Sequence, residues 1–286
     1  MSTSATLSDA RPVIHPSAIV DSRARLAPGV EIGPGCVVRG EVSLAQGVRL
    51  IGGVYIEGPV EIGDGTLVYP GACIGFPPQD VKFKPGMPTA GVKIGANCLI
   101  REHVTIHSAS KAPGEGAPTT IGDNVFMMAN SHAGHDAKVG NGVILVNAVL
   151  LAGHSEVQER ATLSGAAMVH QFGRIGKFAF ISGGTAQAMD VPPFCIAGAR
   201  NTIHGINAVG LRRAGFPREH ITLLRQAFRE AFRVALPRKE KVAVLRELGK
   251  TCPPVLDMAE FVEKSKRGIA AAASHAEEHD QDDVGA

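Results

Sequence analysis

Residues 32–50 read IGPGCVVRGEVSLAQGVRL, with an aliphatic side chain at every sixth position. The same register continues through three blocks, residues 14–74, 94–106 and 121–181. Every position of this register holds Ile, Leu or Val except Met127 and Ala133. A short fixed period held over so many repeats predicts a solenoid, and a period of six predicts a parallel β-helix.

The other positions of each hexad predict how the chain turns. Gly, Asp, Asn and Pro crowd the second to fourth positions, and the fifth is small or β-branched. Gly and Asn tolerate the positive φ that tight corners need. We predict that three hexads make one triangular coil, so that Ile14, Ile32 and Leu50 stack inside a prism of about eight coils. An α-helix is excluded because a period of six does not keep one face on a 3.6-residue turn.

The hexads stop near residue 199, and helical spacing replaces them. Apolar residues then recur at helical steps in three stripes: Ile221, Leu224, Ala227, Phe228, Ala231 and Phe232; Val242, Leu245 and Leu248; Val255, Met258 and Phe261. The prediction is a mainly β protein, with a β-helix over 13–198 and a C-terminal helical domain over 199–268. Residues 1–12 and 269–286 are expected to be disordered.

Composition limits the classes of protein. A net charge of +2 gives no bulk attraction to nucleic acid, and the five scattered cysteines fit reduced core thiols. No apolar run is long enough to span a membrane, and the N-terminus lacks the features of a signal peptide, so a cytoplasmic protein is expected. Residues 200–250 hold twelve Lys and Arg against four Glu. This segment is either a solvated helical face or a dock for an acidic partner or a phosphate.

Two interruptions of the repeat, at 76–92 and 108–120, predict outward loops, which in solenoids often serve binding. The hexads that follow hold Asn130-Ser-His-Ala-Gly-His-Asp136. A histidine near neutral pH can accept a proton, and the adjacent Asp136 could orient His135 or stabilise its cation.

Coil winding is expected to bring distant positions together on the repeat. Five histidines lie on it: His107, His132, His135, His154 and His170. Gly153 is one coil after His135, and it could offer an unhindered backbone N–H to an oxyanion.

Several motifs occur in one order along residues 13–268. They are Gln79-Asp-Val-Lys82, Asn130-x-His132-x-x-His135-Asp136, Leu151-Ala-Gly-His154, Val169-His-Gln-Phe172, Asp190-Val-Pro-Pro193, and Gly210-Leu-Arg-Arg213 with Gly215-Phe216. This set resembles the acyl-[acyl-carrier-protein]–UDP-N-acetylglucosamine O-acyltransferase family, which performs the first step of lipid A synthesis. The resemblance implies a left-handed β-helix, the hand being taken from the family.

The resemblance also implies a homotrimer with active sites in clefts between subunits. His135 would be the general base that removes the proton of the sugar 3-hydroxyl, and Asp136 would support it. Gly153 would supply the oxyanion N–H. The acyl donor would be a 3-hydroxyacyl chain on acyl carrier protein, and no cofactor is implied.

The remaining site residues follow from the same resemblance. The sugar-nucleotide and acyl-donor sites would use Gln79, Asp80, Lys82, His107, His132, His154, His170 and Gln171. Asn207 and Arg213 would hold the phosphopantetheine or nucleotide region. Gly183 falls at the position that limits acyl length, where a glycine would leave the groove open for a longer chain.

Departures from the family motifs leave the substrate detail open. His107-Ser-Ala-Ser110 and the loop Lys82-Phe-Lys-Pro-Gly-Met-Pro-Thr89 differ from the family pattern. The acyl length stays open, and so does the choice between UDP-N-acetylglucosamine and its 3-amino analogue. Alternatives are a transferase that uses acyl-CoA, a non-catalytic paralogue, and, remotely, a trimeric zinc carbonic anhydrase.

Overall fold

A computed structural model describes residues 11–84 and 86–273 of the 286-residue chain. Three parallel sheets form the faces of a triangular prism, and the chain visits them in turn, one short strand per face. The prism is a left-handed parallel β-helix. Face 2 holds nine strands and face 3 holds eight, so eight coils have a strand on every face, in agreement with the estimate of about eight.

The strands are mostly two or three residues long, and each face is defined by its own set. Face 1 contains Val13–Ile14, Glu31–Ile32, Arg49–Leu50, Leu67–Val68, Leu99–Ile100, Phe126–Met127, Ile144–Leu145, Thr162–Leu163, Phe180–Ile181 and Cys195–Ala199. Face 2 contains Ile19–Val20, Val37–Arg39, Tyr55–Glu57, Cys73–Phe76, Thr105–His107, His132–Ala133, Leu150–Leu151, Met168–Val169 and Ala186–Gln187. Face 3 contains Arg25–Leu26, Val42–Leu44, Val60–Ile62, Val92–Ile94, Thr119–Ile121, Lys138–Val139, Glu156–Val157 and Arg174–Ile175.

The hexad register forms the core. Ile14 pairs with Ile32 and Ile32 with Leu50, which confirms the predicted column. Ile32 and Leu50 are buried, but Ile14 is exposed because it lies in the first coil, at the open end of the prism. Each buried aliphatic side chain contributes about 1.5–3 kcal/mol relative to exposure. The column on face 2 ends on the buried Gln187, whose amide donates to Ala199 O and accepts from Asn201 N. These bonds satisfy its polar atoms, so a polar residue can continue an apolar column.

The fourth position of many hexads adopts the left-handed backbone conformation. Asn97, Asn124 and Asn130 do so, with φ of 55° to 60°. Asp136 and His154 take the same conformation, with φ of 60° and 58°. Side chains at this position therefore project from a corner of the prism. Asp136 and His154 lie in successive coils, one above the other, at the corner between faces 2 and 3.

Both insertions leave the prism at that same corner. The first separates the strands Cys73–Phe76 and Val92–Ile94, and the second separates Thr105–His107 and Thr119–Ile121. The two loops bond to each other, with Ala90 N donating to Lys111 O and Ala109 N to Gly91 O. They therefore form one wall beside the corner of the following coil, which holds His135 and Asp136.

Between the prism and residue 273, where the description ends, the chain forms four helices: α1 (Ala208–Arg213), α2 (Arg218–Ala231), α3 (Arg238–Gly249) and α4 (Pro253–Glu263). The predicted apolar stripes are confirmed, since all their members are buried except the half-buried Leu248. A hairpin of Cys195–Ala199 with Thr202–Ile206 joins prism and helices and crosses the predicted boundary at residue 198. In the described ranges, no helix is long and apolar enough to cross a membrane.

The C-terminal segment differs from the expected disorder where it is described. Ala271–Ala272 is a strand on Thr202–Ile206, with Ala271 N donating to Asn201 O and Ala273 N to Ile203 O. Ala270 is buried. The expectation is therefore wrong for residues 269–273, because backbone pairing fixes a segment whose composition shows no pattern. Residues 274–286 and 1–10 lie outside the described residues.

Candidate active site

A cavity of about 800 Å³ lies along face 2, from the coil of Thr105 to the coil of Gln187. Seven of the residues singled out from the sequence line it: Gln79, His107, His132, His135, Gly153, His170 and Gln171. Its apolar part comes from Leu150, Met168 and Ala186, which occupy the same outward position in three successive coils. The cavity thus combines imidazoles at one end with an apolar groove that runs toward the helices.

His135 is nearly buried, and its Nδ1 lies 2.7 Å from Asp136 Oδ2. An ionised carboxylate only accepts hydrogen bonds, so Nδ1 of the neutral ring carries the proton. The lone pair of Nε2 is then free to take a proton from a substrate. The geometry of the pair is that of a general base, His135, whose ring is oriented by a carboxylate, Asp136.

Asp136 is held from two sides. The backbone N–H of Ser110 lies 3.1 Å from both carboxylate oxygens, and Asp136 N donates to Thr119 Oγ1 at 2.8 Å. Burial by itself raises the carboxyl pKa, but the hydrogen bonds from His135 and Ser110 outweigh it and hold the pKa of Asp136 below its usual value. The carboxylate is therefore ionised at neutral pH. The second insertion, through Ser110, therefore helps to hold the carboxylate that bonds to His135.

Gly153 lies against the imidazole of His135. A Cβ atom built on Gly153 would meet His135 Nε2 at 2.5 Å and Cε1 at 2.7 Å. Only a glycine leaves room for the ring at this position. No hydrogen bond between described residues uses the Gly153 N–H, so this donor is open to a ligand in the cavity.

His154 extends the corner column. Its Nε2 lies 3.5 Å from Asp136 Oδ2, and its ring stacks on Phe172 with centroids 4.6 Å apart and an interplanar angle of 8°. His154 does not line the cavity, but the edge of its ring meets His135 at a centroid distance of 5.0 Å. It therefore packs behind the base rather than beside the groove.

His107 and His132 form a second pair of imidazoles, with ring centroids 5.2 Å apart. His107 Nδ1 lies 2.8 Å from Pro77 O, and His132 Nδ1 lies 2.7 Å from Thr105 Oγ1. Burial, followed by the charges of His107 and His135, lowers the pKa of His132 to about 4. Burial likewise lowers the pKa of His107. Both rings are therefore neutral at neutral pH.

The other predicted site residues lie away from this cavity. Asp80 and Lys82 follow Gln79 in the first insertion, where Lys82 N donates to Asp80 Oδ1 at 2.9 Å. Gly183 is exposed at the corner between faces 1 and 2, and Arg213 is exposed on α1.

Asn207 has a structural use in the chain itself. Its Oδ1 accepts from Gly210 N at the start of α1, and its Nδ2 donates to Phe178 O. Both functional ends of its side chain are thus bonded within the protein. Its predicted contact with substrate stays a prediction.

One cluster in the described chain has the side chains of a metal site. Ligand atoms of His135, Asp136 and His154 lie within 4.8 Å of one another. Asp136 already accepts from His135 and twice from Ser110, and these bonds complete its environment without an ion. The cluster fits a positioned base better than a zinc site built from three histidines.

Three residues of the site were missed from the sequence: Thr105, Ser110 and Thr119. Thr105 is the Cα partner of His132, but the second insertion places the two residues 27 apart instead of one hexad coil apart. Ser110 acts through its backbone, which no motif can show. Counting hexads across the insertion would have found Thr105, because it directly precedes the core residue Ile106.

Comparison with known proteins gives one consistent family. A family model described as UDP-N-acetylglucosamine O-acyltransferase, domain 2, matches residues 190–270. An acyl-[acyl-carrier-protein]–UDP-N-acetylglucosamine O-acyltransferase of Thermodesulfovibrio yellowstonii is 46% identical over 257 residues, which cover 90% of this chain and 98% of that protein. The protein of the same name from Alkalilimnicola ehrlichii is 49% identical over the same shares.

Solved structures agree with these relatives. The UDP-N-acetylglucosamine acyltransferase of Francisella novicida superposes with a TM-score of 0.86 at 34% identity, covering 92% of this chain and 95% of that one. The Arabidopsis enzyme superposes with a TM-score of 0.78, also at 34% identity, covering 90% of this chain and 100% of that one. On sequence, fold and site together, the chain belongs to the acyl-[acyl-carrier-protein]–UDP-N-acetylglucosamine O-acyltransferase family.

Proposed function

We propose that this protein transfers a 3-hydroxyacyl chain from acyl carrier protein to the 3-hydroxyl of UDP-N-acetylglucosamine, the first step of lipid A synthesis. The observation that carries the proposal is the His135–Asp136 pair beside the N–H of Gly153, at the head of an apolar groove. Membership of the family supports the substrates.

The reaction starts with removal of a proton. His135 Nε2 takes the proton of the sugar 3-hydroxyl as that oxygen attacks the thioester carbonyl carbon. The N–H of Gly153 stabilises the negative charge that develops on the carbonyl oxygen. When the tetrahedral intermediate collapses, the carbon–sulfur bond breaks, and the proton on His135 passes to the departing thiolate. Asp136 keeps the ring in the required tautomer and stabilises its cation in between.

The substrates are proposed to divide the cavity between them. The glucosamine end would contact Gln79 and His132, which line the cavity. Asp80 and Lys82, which follow Gln79 in the first insertion outside the cavity lining, would contact the part of the sugar nucleotide that extends beyond it. The acyl chain would lie along Leu150 and Met168, toward Gly183. His107, His170 and Gln171 would complete this site, with His154 behind His135 and with Asn207 and Arg213 toward the nucleotide or phosphopantetheine.

A homotrimer is proposed because the prism faces differ in chemistry. From Leu67 onward, the outward residues of face 1 are mostly apolar: Leu67, Leu99, Phe126, Ile144 and Phe180. Those of face 3 are mostly charged: Arg25, Glu61, Lys93, Lys138, Glu156 and Arg174. Face 1 of one subunit packed on face 2 of the next would make a heterologous contact, which closes into a ring. Such a contact would place the cavity between subunits.

Acyl carrier protein is the proposed macromolecular partner. The helical segment after residue 199 is basic, and exposed cations such as Arg212 and Arg213 lie on α1. An acidic carrier would be attracted to this surface, and the attraction would weaken with salt.

One assay tests the proposal. The purified protein is incubated with carrier proteins bearing 3-hydroxyacyl chains of graded length and with UDP-N-acetylglucosamine or its 3-amino analogue, and the products are weighed by mass spectrometry. The proposal expects an ester of UDP-N-acetylglucosamine with a preferred chain length. If only an amide of the 3-amino analogue is formed, the analogue and not UDP-N-acetylglucosamine is the acceptor. Absence of product from every pair would refute the proposed reaction.

A further inference from the structure

Four imidazoles line the cavity, those of His107, His132, His135 and His170. The contacts of His107 and His135 fix which of their ring nitrogens is protonated. A carbonyl oxygen can only accept, so His107 Nδ1 donates its proton to Pro77 O. His135 Nδ1 donates to Asp136 in the same way. In the neutral form of each ring Nε2 is therefore unprotonated, which makes it a hydrogen-bond acceptor.

His132 differs because its Nδ1 faces a hydroxyl group. Thr105 and His132 are Cα partners in neighbouring coils of face 2, and Thr105 Oγ1 lies 2.7 Å from the ring nitrogen. A hydroxyl group can either donate to this nitrogen or accept from it. Among the described residues, this is the one hydrogen bond of the Thr105 hydroxyl, so its proton has no other protein acceptor.

We propose that Thr105 is a positioning residue whose hydroxyl donates to His132 Nδ1 and thereby keeps the His132 proton on Nε2. His132 then becomes the N–H donor of a cavity in which His107 and His135 are acceptors. His132 is half-buried, and its lowered pKa keeps the ring neutral, so the ring carries one N–H.

The inference rests on the proposed function for its ligand. UDP-N-acetylglucosamine offers acceptor oxygens on its diphosphate, its acetamido group and its hydroxyls, and a neutral N–H can bind any of these. An unprotonated Nε2 at the same place would repel a phosphate or carbonyl oxygen. Thr105 thus determines whether His132 attracts or repels the sugar nucleotide, although the threonine itself need not touch it.

The first test uses near-isosteric variants. Thr105→Val removes the hydroxyl but keeps the β-branched shape, and Thr105→Ser keeps a hydroxyl. The matched control is Thr162→Val, at the same hexad position on face 1. We expect Thr105→Val to weaken UDP-N-acetylglucosamine binding in calorimetry by about tenfold, which is the effect of about one hydrogen bond. The KM for UDP-N-acetylglucosamine should rise by a similar factor, while kcat changes by less than about threefold. This pattern is expected when a variant loses a contact that the ground state and the transition state share.

Recovery distinguishes this role from a merely structural one. Thr105→Ser should regain most of the affinity, and Thr162→Val should match the wild type. Equal affinity of wild type and Thr105→Val would overturn the inference, as would a loss in Thr105→Val that Thr105→Ser does not recover.

The second test does not depend on turnover. Long-range proton–nitrogen spectra of the ¹⁵N-histidine-labelled protein report which ring nitrogen is protonated, and the His132 signals are assigned by their loss in His132→Gln. We expect a proton on Nε2 in the wild type. A proton on Nδ1 would overturn the inference, even if the protein is active. An inactive protein with the expected spectrum would instead count against the proposed reaction alone.

Discussion

The imidazole of His135 occupies the space that a side chain on Gly153 would need, with Nε2 at 2.5 Å from the position of the missing Cβ. The two residues belong to successive coils, so the repeat itself brings the imidazole of His135 to the backbone of Gly153. One contact therefore positions both the proposed base and the proposed oxyanion donor.

Gly153→Ala should disable the site. The added Cβ must displace the His135 ring, which is also held by Asp136, so we expect kcat/KM to fall by at least about 10²-fold. The control is Gly205→Ala, because a Cβ at Gly205 meets nothing within 4 Å. Steady-state kinetics on both variants check the prediction, and a Gly153→Ala enzyme as active as Gly205→Ala would contradict it.

Asp136→Asn should keep the fold and lose activity. An amide can present its NH₂ group to His135 Nδ1, which favours the tautomer with the proton on Nε2 and removes the base. We expect kcat to fall by about 10²- to 10⁴-fold. Asp123→Asn is the control, because Asp123 also accepts a backbone N–H, from Ala96, at a corner of the prism. Comparable rates for the two variants would argue against a role for the carboxylate.

The burial of neutral His132 should make stability depend on pH. Its pKa falls from 6.5 to about 4 on folding, so the unfolded chain binds more protons between these values. The free energy of unfolding should therefore fall as the pH drops through this window. In urea titrations, the free energy of unfolding of His132→Gln should fall less between pH 7 and pH 5 than that of the wild type. The buried His107 leaves a residual dependence in both proteins, and identical dependence in the two would contradict the account.

The apolar face 1 should be the subunit contact. Leu99→Glu combined with Ile144→Glu places two charges on it, and we expect the trimer to dissociate because unpaired charges resist burial. Lys138→Glu on the charged face 3 is the matched control. Analytical ultracentrifugation should give three chains of 29.8 kDa for wild type and control and one for the double variant. A wild-type monomer would refute the assembly.

The fold was accessible from the sequence because a single rule places each core residue. Within the uninterrupted blocks 14–74 and 121–181, each aliphatic residue at the start of a hexad pairs with the one 18 residues later, as Ile14 and Ile32 show. The rule places the last core residue at Ile181, but Gln187 continues the column. Its buried amide forms hydrogen bonds with Ala199 and Asn201, which the sequence pattern does not predict. The strand at Ala271–Ala272 was missed for the same reason, because it depends on backbone pairing.

The site was accessible in part. The motif residues that lie one coil apart, His135 and Gly153, meet in the structure as the winding requires. The Thr105–His132 contact was missed because the second insertion hides the register, although hexads counted across it lead to Thr105. The contact of the Ser110 backbone N–H with Asp136 could not be predicted, because a loop of irregular length follows no register.

The most direct measurement is the rate of acyl transfer to UDP-N-acetylglucosamine by wild type and His135→Ala, with His15→Ala as a control at an exposed histidine in the first coil. We expect the wild type and His15→Ala to be equally active. His135→Ala should lose about 10²- to 10⁴-fold in kcat, with a melting temperature within about 4 °C of the wild type. A well-folded His135→Ala protein that retains most of its activity would show that this imidazole is not the base.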